Sequence, residues 1–254
     1  GGDDMSFKAH FLNQGRVDSI LLECDGEYAF IDGGYRRNGM KAVKYLQSLG
    51  IAKLKYYIAS HGHKNHIGAA PVIIKAFRPV FVFINRRKTL DAIRKYCADA
   101  SELSAVMGAD LGEFTGRYAL PLGNATIKRI GPNKMQDCSC GAYKENYNSL
   151  ILRVDYEGEP ILLLTGDSTA AIIAKCGTEA RAKVLKNPHH AGTQPASLLK
   201  QVKPEAVVIC SNVKAGRTYR RRIENAGAEV YNVCEGRVVC KSPIDTAQPS
   251  MVQL

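Results

Sequence analysis

The sequence predicts an α/β sandwich assembled from two related halves, and three observations carry that expectation. Short apolar runs rich in β-branched and aromatic residues alternate with segments whose apolar positions recur at helical spacing. The plan of strand, acidic residue, helix, strand and histidine loop occurs twice. It runs from Phe30-Ile31-Asp32-Gly33 to His61-Gly62-His63, and again from Leu164-Thr165-Gly166-Asp167 to His189-His190. No stretch of low complexity separates the copies. Residues 7–242 therefore read as one domain, with 1–6 and 243–254 as terminal segments.

Strands are predicted at 7–12, 19–24 and 28–31, the last two joined by an Asp25-Gly26 hairpin turn. Met40, Val43, Leu46 and Leu49 follow at helical spacing, and Gly50 stops the helix. A strand over 54–59 then runs into Ser60-His61-Gly62-His63, and the segment after His66 reads as helical to Phe77. Beyond it come a strand over 79–84 and one long helix from Thr89 to Met107. Residues 108–147 are poorer in pattern. Strands return at 125–130, 149–154 and 160–164, then a helix over 168–176 and a short strand over 182–185. A helix at 195–201, a strand at 205–210, a helix at 218–226 and a hairpin turning at Glu235-Gly236 complete the chain.

Composition is ordinary for a globular chain, with 45% hydrophobic and 23% charged residues. There is no apolar run of the roughly 18 residues a membrane-spanning helix needs. The 35 Lys+Arg against 24 Asp+Glu give a net charge of +11. Such an excess suits a polyanionic partner, with nucleic acid as one candidate, or simply a soluble basic protein. The chain opens Gly1-Gly2-Asp3-Asp4-Met5. That start leaves two expectations for location: secreted or at the cell surface if a signal segment was removed, otherwise cytoplasmic. The eight cysteines form no pair of CxxC units, which argues against a zinc ribbon and for reduced thiols, Cys24 and Cys210 among them as small buried hydrophobes.

Five of the six histidines fall into two clusters, His61, His63 and His66 in one and His189 and His190 in the other. Two imidazoles alternating at a strand end, with a third three residues on, suit a shared metal ion, since neutral imidazole ligates zinc and related metals well. The alternative for each is an exposed loop histidine; His10 reads as an ordinary strand residue. Asp167 ends an apolar strand and either bridges metal or caps the helix beginning at Ser168. Asp18 and Asp32 are turn residues by default.

Ser60-His61-Gly62-His63-Lys64-Asn65-His66-Ile67-Gly68 resembles the His-x-His-x-Asp-His loop of the metallo-β-lactamase superfamily. More narrowly, the chain resembles the hydrolase domain of the competence protein ComEC and its stand-alone relatives. The segment from Phe11 to Ser19 is similar to that subgroup's opening, and Phe30-Ile31-Asp32-Gly33-Gly34 to its next motif. Asn148-Ser149-Leu150, Leu164-Thr165-Gly166-Asp167 and His189-His190-Ala191-Gly192 follow in the same order, so the likeness extends from Phe7 to Val239.

The resemblance implies a four-layer αββα sandwich, two mixed β-sheets flanked by helices, with its site on the edge between the sheets. It also implies that His61 and His63 hold one metal, that Asp167 bridges, and that His66 with a histidine of the 189–190 pair holds a second. Sequence does not separate that pair; His190 is the first choice for metal and His189 for positioning substrate. One or two zinc ions, or manganese or iron, would activate a water against a phosphodiester or related ester. Asp18, Asp32 and Asn148 would orient the ligands.

The chain departs from the family pattern in three places. Asn65 stands where the family has Asp, and an amide is a neutral ligand that cannot take a proton from water. Arg16 and Val17 replace the subgroup's Gln and second Gly, and Arg217-Thr218 stands where a later His-Pro is expected. These changes keep a second reading open: a degenerate relative that binds a polyanion or partner without turnover. Cys138 and Cys140 could replace a lost ligand or form a plain loop of two thiols. Arg217, Arg220, Arg221 and Arg222 could follow a phosphate backbone while Tyr219 stacks a base, or could form a solvated helix face.

Overall fold

The computed structural model describes residues 6–114, 116, 118–135, 142–243 and 250–254. Cys138 and Cys140 lie outside the described residues.

Two mixed sheets face each other, with helices on both outer faces. In the first half, β1 (Ser6–Phe11), β2 (Ser19–Cys24) and β3 (Glu27–Asp32) form an antiparallel meander, turning at Asp25-Gly26 as expected. Helix α1 (Gly39–Ser48) crosses to β4 (Tyr56–Ala59), which pairs parallel to β3. Helices α2 (Lys64–Ile67) and α3 (Ala70–Phe77) lead to β5 (Phe81–Ile84). Then α4 (Arg87–Lys95) and α5 (Ala100–Met107) lead to β6 (Asp110–Glu113), which extends the parallel run.

The single helix expected over 89–107 is thus two. Asp99 accepts hydrogen bonds from the backbone N–H groups of Ser101 and Glu102 at 2.9 Å, starting a new helix there. Glu102 reaches back to the Ala98 N–H and takes both guanidinium nitrogens of Arg36 at 2.8 Å.

The second half repeats the scheme. Strands β7 (Ala119–Leu122), β8 (Ala125–Gly131), β9 (Ile151–Tyr156) and β10 (Glu159–Leu164) are antiparallel. From β10 the ladder turns parallel, through α6 (Ala170–Ala174), β11 (Val184–Lys186), α7 (Ala196–Val202), β12 (Ala206–Ile209), α8 (Arg217–Asn225) and β13 (Glu229–Asn232).

No hairpin forms at Glu235-Gly236. The chain crosses there to β14 (Val238–Pro243), which pairs with β1 in the other sheet and places Val238 and Cys240 in the core between the sheets. Then β15 (Ser250–Gln253), within the stretch set apart above as a terminal segment, adds an edge strand to β14. The eight-stranded sheet runs β15-β14-β1-β2-β3-β4-β5-β6 and the seven-stranded one β13-β12-β11-β10-β9-β8-β7.

Strands covered on both faces are apolar at nearly every position. In β2, Ile20, Leu22 and Cys24 point between the sheets while Leu21 faces α1 and α3. In β10, Ile161, Leu162 and Leu164 point inward and Leu163 meets the layer of α6, α7 and α8. At the edge remote from the histidine loops, hydrogen bonds join the two sheets. Glu27 accepts from the Gly123 N–H at 2.7 Å, Asp25 from the Asn124 N–H at 2.8 Å, and Tyr56 donates to the Pro121 carbonyl at 3.0 Å.

Because Leu162 fills the seam between the sheets, Leu162→Ala should cost about 2–5 kcal/mol in urea unfolding. Leu111→Ala on half-exposed edge strand β6 should cost well under half as much. Equal losses would place the seam of the core elsewhere.

Candidate metal centre

Each half delivers an acid from the strand at which its ladder changes from antiparallel to parallel, and histidines from the loop after the next strand. Asp32 ends β3 and Asp167 follows β10, while His61, His63 and His66 follow β4 and His189 and His190 follow β11. Asp32 adopts a left-handed φ of 60°. Gly33 has a φ of 139°, a conformation that L side chains rarely adopt, so the turn that brings Asp32 against α2 favours glycine. Gly34 then pairs with α2: its N–H donates to the His66 carbonyl at 3.1 Å and its carbonyl accepts from the Ala69 N–H at 3.0 Å.

His61, His66, His190 and Asp167 are buried together. His66 Nε2 lies 3.2 Å from Asp167 Oδ1, His190 Nε2 lies 3.5 Å from the same oxygen, and His61 Nε2 lies 4.0 Å from Oδ2. The outer nitrogen of each of these rings is already engaged. His66 Nδ1 donates to Asp32 Oδ2 at 2.7 Å and His190 Nδ1 to the Cys210 carbonyl at 3.0 Å. Ser60 Oγ donates to Asp32 Oδ2 at 2.7 Å, so its lone pair accepts from His61 Nδ1 at 3.0 Å. Fixing Nδ1 outward fixes Nε2 as the atom facing the centre, the arrangement by which metal-ligating histidines are oriented. His63 joins from the rim, its Nδ1 3.0 Å from His61 Nε2.

Asp32 thus orients two histidines. Asp18 lies 3.8 Å from His66 Nδ1 and 3.5 Å from His190 Nδ1, and pairs with the fully buried ammonium of Lys186. Lys186 also donates to the Gly166 carbonyl at 2.9 Å. A lysine is ordinarily a surface residue, and the sequence signal for this one is its place at the end of an apolar strand just before the histidine loop. Asn148 is buried and its backbone carbonyl accepts from Asn85. Asp167 does not cap a helix: Thr169 holds the N-cap position of α6.

Charge follows from this packing. Burial opposes ionisation of His66, but Asp167 and Asp32 outweigh it and hold its pKa up at about 10. Burial also works against the Asp167 carboxylate, yet His66 and the other imidazoles keep it well below the usual carboxylate range. His61 is driven well down by burial and by the neighbouring His66 cation, and His190 falls to about 2 by burial, so both are neutral. Burial pushes Asp18 up to about 6 against the pull of Lys186, whose own pKa Asp18 raises.

A cation fits the donor set. His61, His66 and Asp167 offer atoms within 4.8 Å of one another. His66 Nε2 and Asp167 Oδ1 are buried without a hydrogen-bonding partner despite their proximity. Three buried carboxylates, Asp18, Asp32 and Asp167, face one ammonium and the His66 proton, and a divalent ion on Nε2 would take over that proton's compensating role.

An open cleft of about 210 Å³ lies over the centre, lined by Arg16, Tyr35, His63, Asn65, Asn146, Asp167, His189 and His190. His189 is 41% exposed there, with its Nε2 3.8 Å from Asp167. Asn65 donates its amide N–H to His190 Nε2 at 3.0 Å. The second histidine loop is strained, since His189 and His190 have φ of 53° and 61°. It is held from within by Asn187, whose amide donates to the carbonyls of Pro188, His190 and Gly192. Tyr219 is buried and donates to Asn187 Oδ1 at 2.6 Å, which corrects its expected role as an exposed stacking platform. Arg217, Arg221 and Arg222 face a separate cleft beside α7, and Arg220 pairs with Glu224.

This is the metallo-β-lactamase-like fold, two mixed sheets flanked by helices with histidine loops on a shared edge. Among solved structures, the chain is similar to a metallo hydrolase from the hyperthermophilic archaeon Ignicoccus hospitalis. That match has a TM-score of 0.58 and 16% identity, covering 98% of this chain and 99% of the other. It is also similar to a diphosphatase from the PhnP family, with a TM-score of 0.56 and 12% identity over 89% and 94% of the two chains. Recombination protein 2 of Haemophilus influenzae is 27% identical over 211 residues, 79% of this chain. The chain spans 24% of that relative's length. No family model matches.

Removing one partner of a buried ion pair leaves the other charge uncompensated. Lys186→Met should therefore destabilise the fold by about 3–5 kcal/mol in urea unfolding, and Lys186→Met/Asp18→Asn should recover part of that loss. Additive losses in the double variant would mean the pair does not couple.

Proposed function

We propose that the chain is a metal-dependent hydrolase acting on a phosphodiester or related ester at the Asp167 centre. The observation that carries this reading is the common orientation of His61, His66 and His190, each tied outward at Nδ1 and facing Asp167 through Nε2. A set of imidazoles and a carboxylate suits zinc, with manganese or iron as alternatives. His61, His63, His66, His190 and Asp167 would hold one or two ions. Bound there, the metal supplies Lewis-acid polarisation of an ester oxygen and lowers the pKa of water towards neutrality.

The chain's own groups do the rest. Arg16, exposed on the rim of the cleft, offers a guanidinium to an anionic oxygen of the substrate. His189 is kept neutral by burial, which lowers its pKa, and its ring can accept or return a proton in the open part of the cleft. Asn65 holds the position of the family's carboxylate and cannot accept that proton, so the task falls to His189. The net charge of +11 and the likeness to a protein named for recombination favour nucleic acid among polyanionic substrates.

One observation favours a second reading, a centre that binds a polyanion without turnover. The Asn65 amide donates to His190 Nε2 and so occupies the lone pair that ring would give a metal.

Three measurements test these readings. Protein purified without a histidine tag should carry one or two equivalents of zinc, manganese or iron by plasma mass spectrometry, and His61→Ala should lose them. Asp32→Asn should weaken metal binding by about 10–100-fold, because the histidines it orients lose their acceptor. With bis-p-nitrophenyl phosphate, turnover in wild type that His61→Ala abolishes supports the hydrolase. Turnover appearing only in Asn65→Asp supports the silent binder, and a chain that takes up no metal after dialysis would sink both metal-based readings.

A further inference from the structure

A concavity larger than the histidine cleft lies apart from it. It is a cleft of about 850 Å³ between α7 and α8, on the outer face of the seven-stranded sheet. Leu199, Ala196, Pro204 and Ala226 give it apolar walls. Lys200, Lys203, Arg217, Arg221 and Arg222 converge on it, and among the described residues no acidic one lines it. Among the described residues none of these five cations stands within ion-pair distance of a carboxylate, whereas neighbouring Arg220 is paired with Glu224 at 3.7 Å. Arg217 also opens α8 in a first turn without an acidic residue, a placement the helix dipole disfavours unless an anion offsets it.

Five like charges around apolar walls repel one another, and a ligand carrying several negative charges relieves that repulsion. A volume of about 850 Å³ exceeds what a lone phosphate needs and suits a molecule of cofactor size. The apolar walls call for a ring or other uncharged body, and guanidinium planes stack well on a base. We propose that this cleft is a second binding site, separate from the metal centre, for a nucleoside polyphosphate.

Its position couples it to the histidine loop. Arg222, one of the five cations, donates to the Gln194 carbonyl at 2.6 Å. Gln194 in turn donates to the carbonyls of Pro188 at 3.1 Å and Gly192 at 3.3 Å, on either side of His189 and His190. A phosphate that engages Arg222 therefore competes with a contact that shapes the loop.

The test is calorimetric titration with ATP as probe, without added divalent metal. Wild type should bind one ATP with micromolar affinity. Adenosine should not bind measurably, and inorganic tripolyphosphate should bind at least tenfold more weakly. Lys200→Glu/Lys203→Glu and Arg221→Ala should each weaken ATP binding tenfold or more with unchanged circular dichroism and melting temperature, while His61→Ala should bind ATP like wild type. ATP should also change amide hydrogen exchange in residues 187–194. Four outcomes would overturn the proposal: no saturable binding, binding untouched by the cleft variants, equal affinity for tripolyphosphate, or a 12-nucleotide oligothymidylate displacing ATP with more than tenfold greater affinity. Binding lost in His61→Ala alone would place ATP at the metal centre and leave the hydrolase reading standing.

Discussion

The structure turns on the burial of Asp167 among imidazoles at the edge where the two sheets meet. A carboxylate removed from water is costly unless charge and hydrogen bonds compensate it. Here the compensation comes from both halves of the chain. His61 and His66 arrive from the first half and His190 from the second, and each ring is held by a partner behind it. Asp18 and Lys186 make the same junction with formal charges, one from each half. The site is therefore a structural seam as well as a candidate centre of chemistry, and its residues answer to stability and to ligand binding at once.

The two sheets solve one geometric problem twice. In each, an antiparallel meander gives way to a parallel run at a central strand, β3 or β10, and the acid stands just where the ladder changes. Parallel pairing requires helical crossovers, so the loops after β4 and β11 emerge at the same edge as the acids. The second copy is the more strained, with consecutive left-handed residues at His189 and His190. Asn187, Tyr219, Gln194 and Arg222 hold that strain from the side of α7 and α8.

Much of this was legible in the residues. The alternating runs, the Asp25-Gly26 turn and the repeated acid-to-histidine plan located most strands, most helices and the shared edge. Local pattern failed where longer contacts decide. The apolar spacing from Thr89 to Met107 looks continuous, but the Asp99 and Glu102 hydrogen bonds and the reach of Arg36 split it. The pair at Glu235-Gly236 carries a turn signal, yet β13 and β14 belong to different sheets, a choice made by the core and not by the turn. Lys186 was hidden because a lysine is ordinarily a surface residue, and only its pairing with Asp18 explains its burial. Tyr219 was hidden among four arginines, and its hydroxyl serves the histidine loop.

The hydrogen bonds that join Glu27 to Gly123, Asp25 to Asn124 and Tyr56 to Pro121 lie at the edge away from the histidines. They give the sandwich the character of a bound volume, stitched along its spine. Between that spine and the opposite fore-edge lies the apolar core, and at the fore-edge the two leaves meet through titratable side chains. A charge placed at that margin is therefore shared by both leaves, since the groups that answer it belong to each.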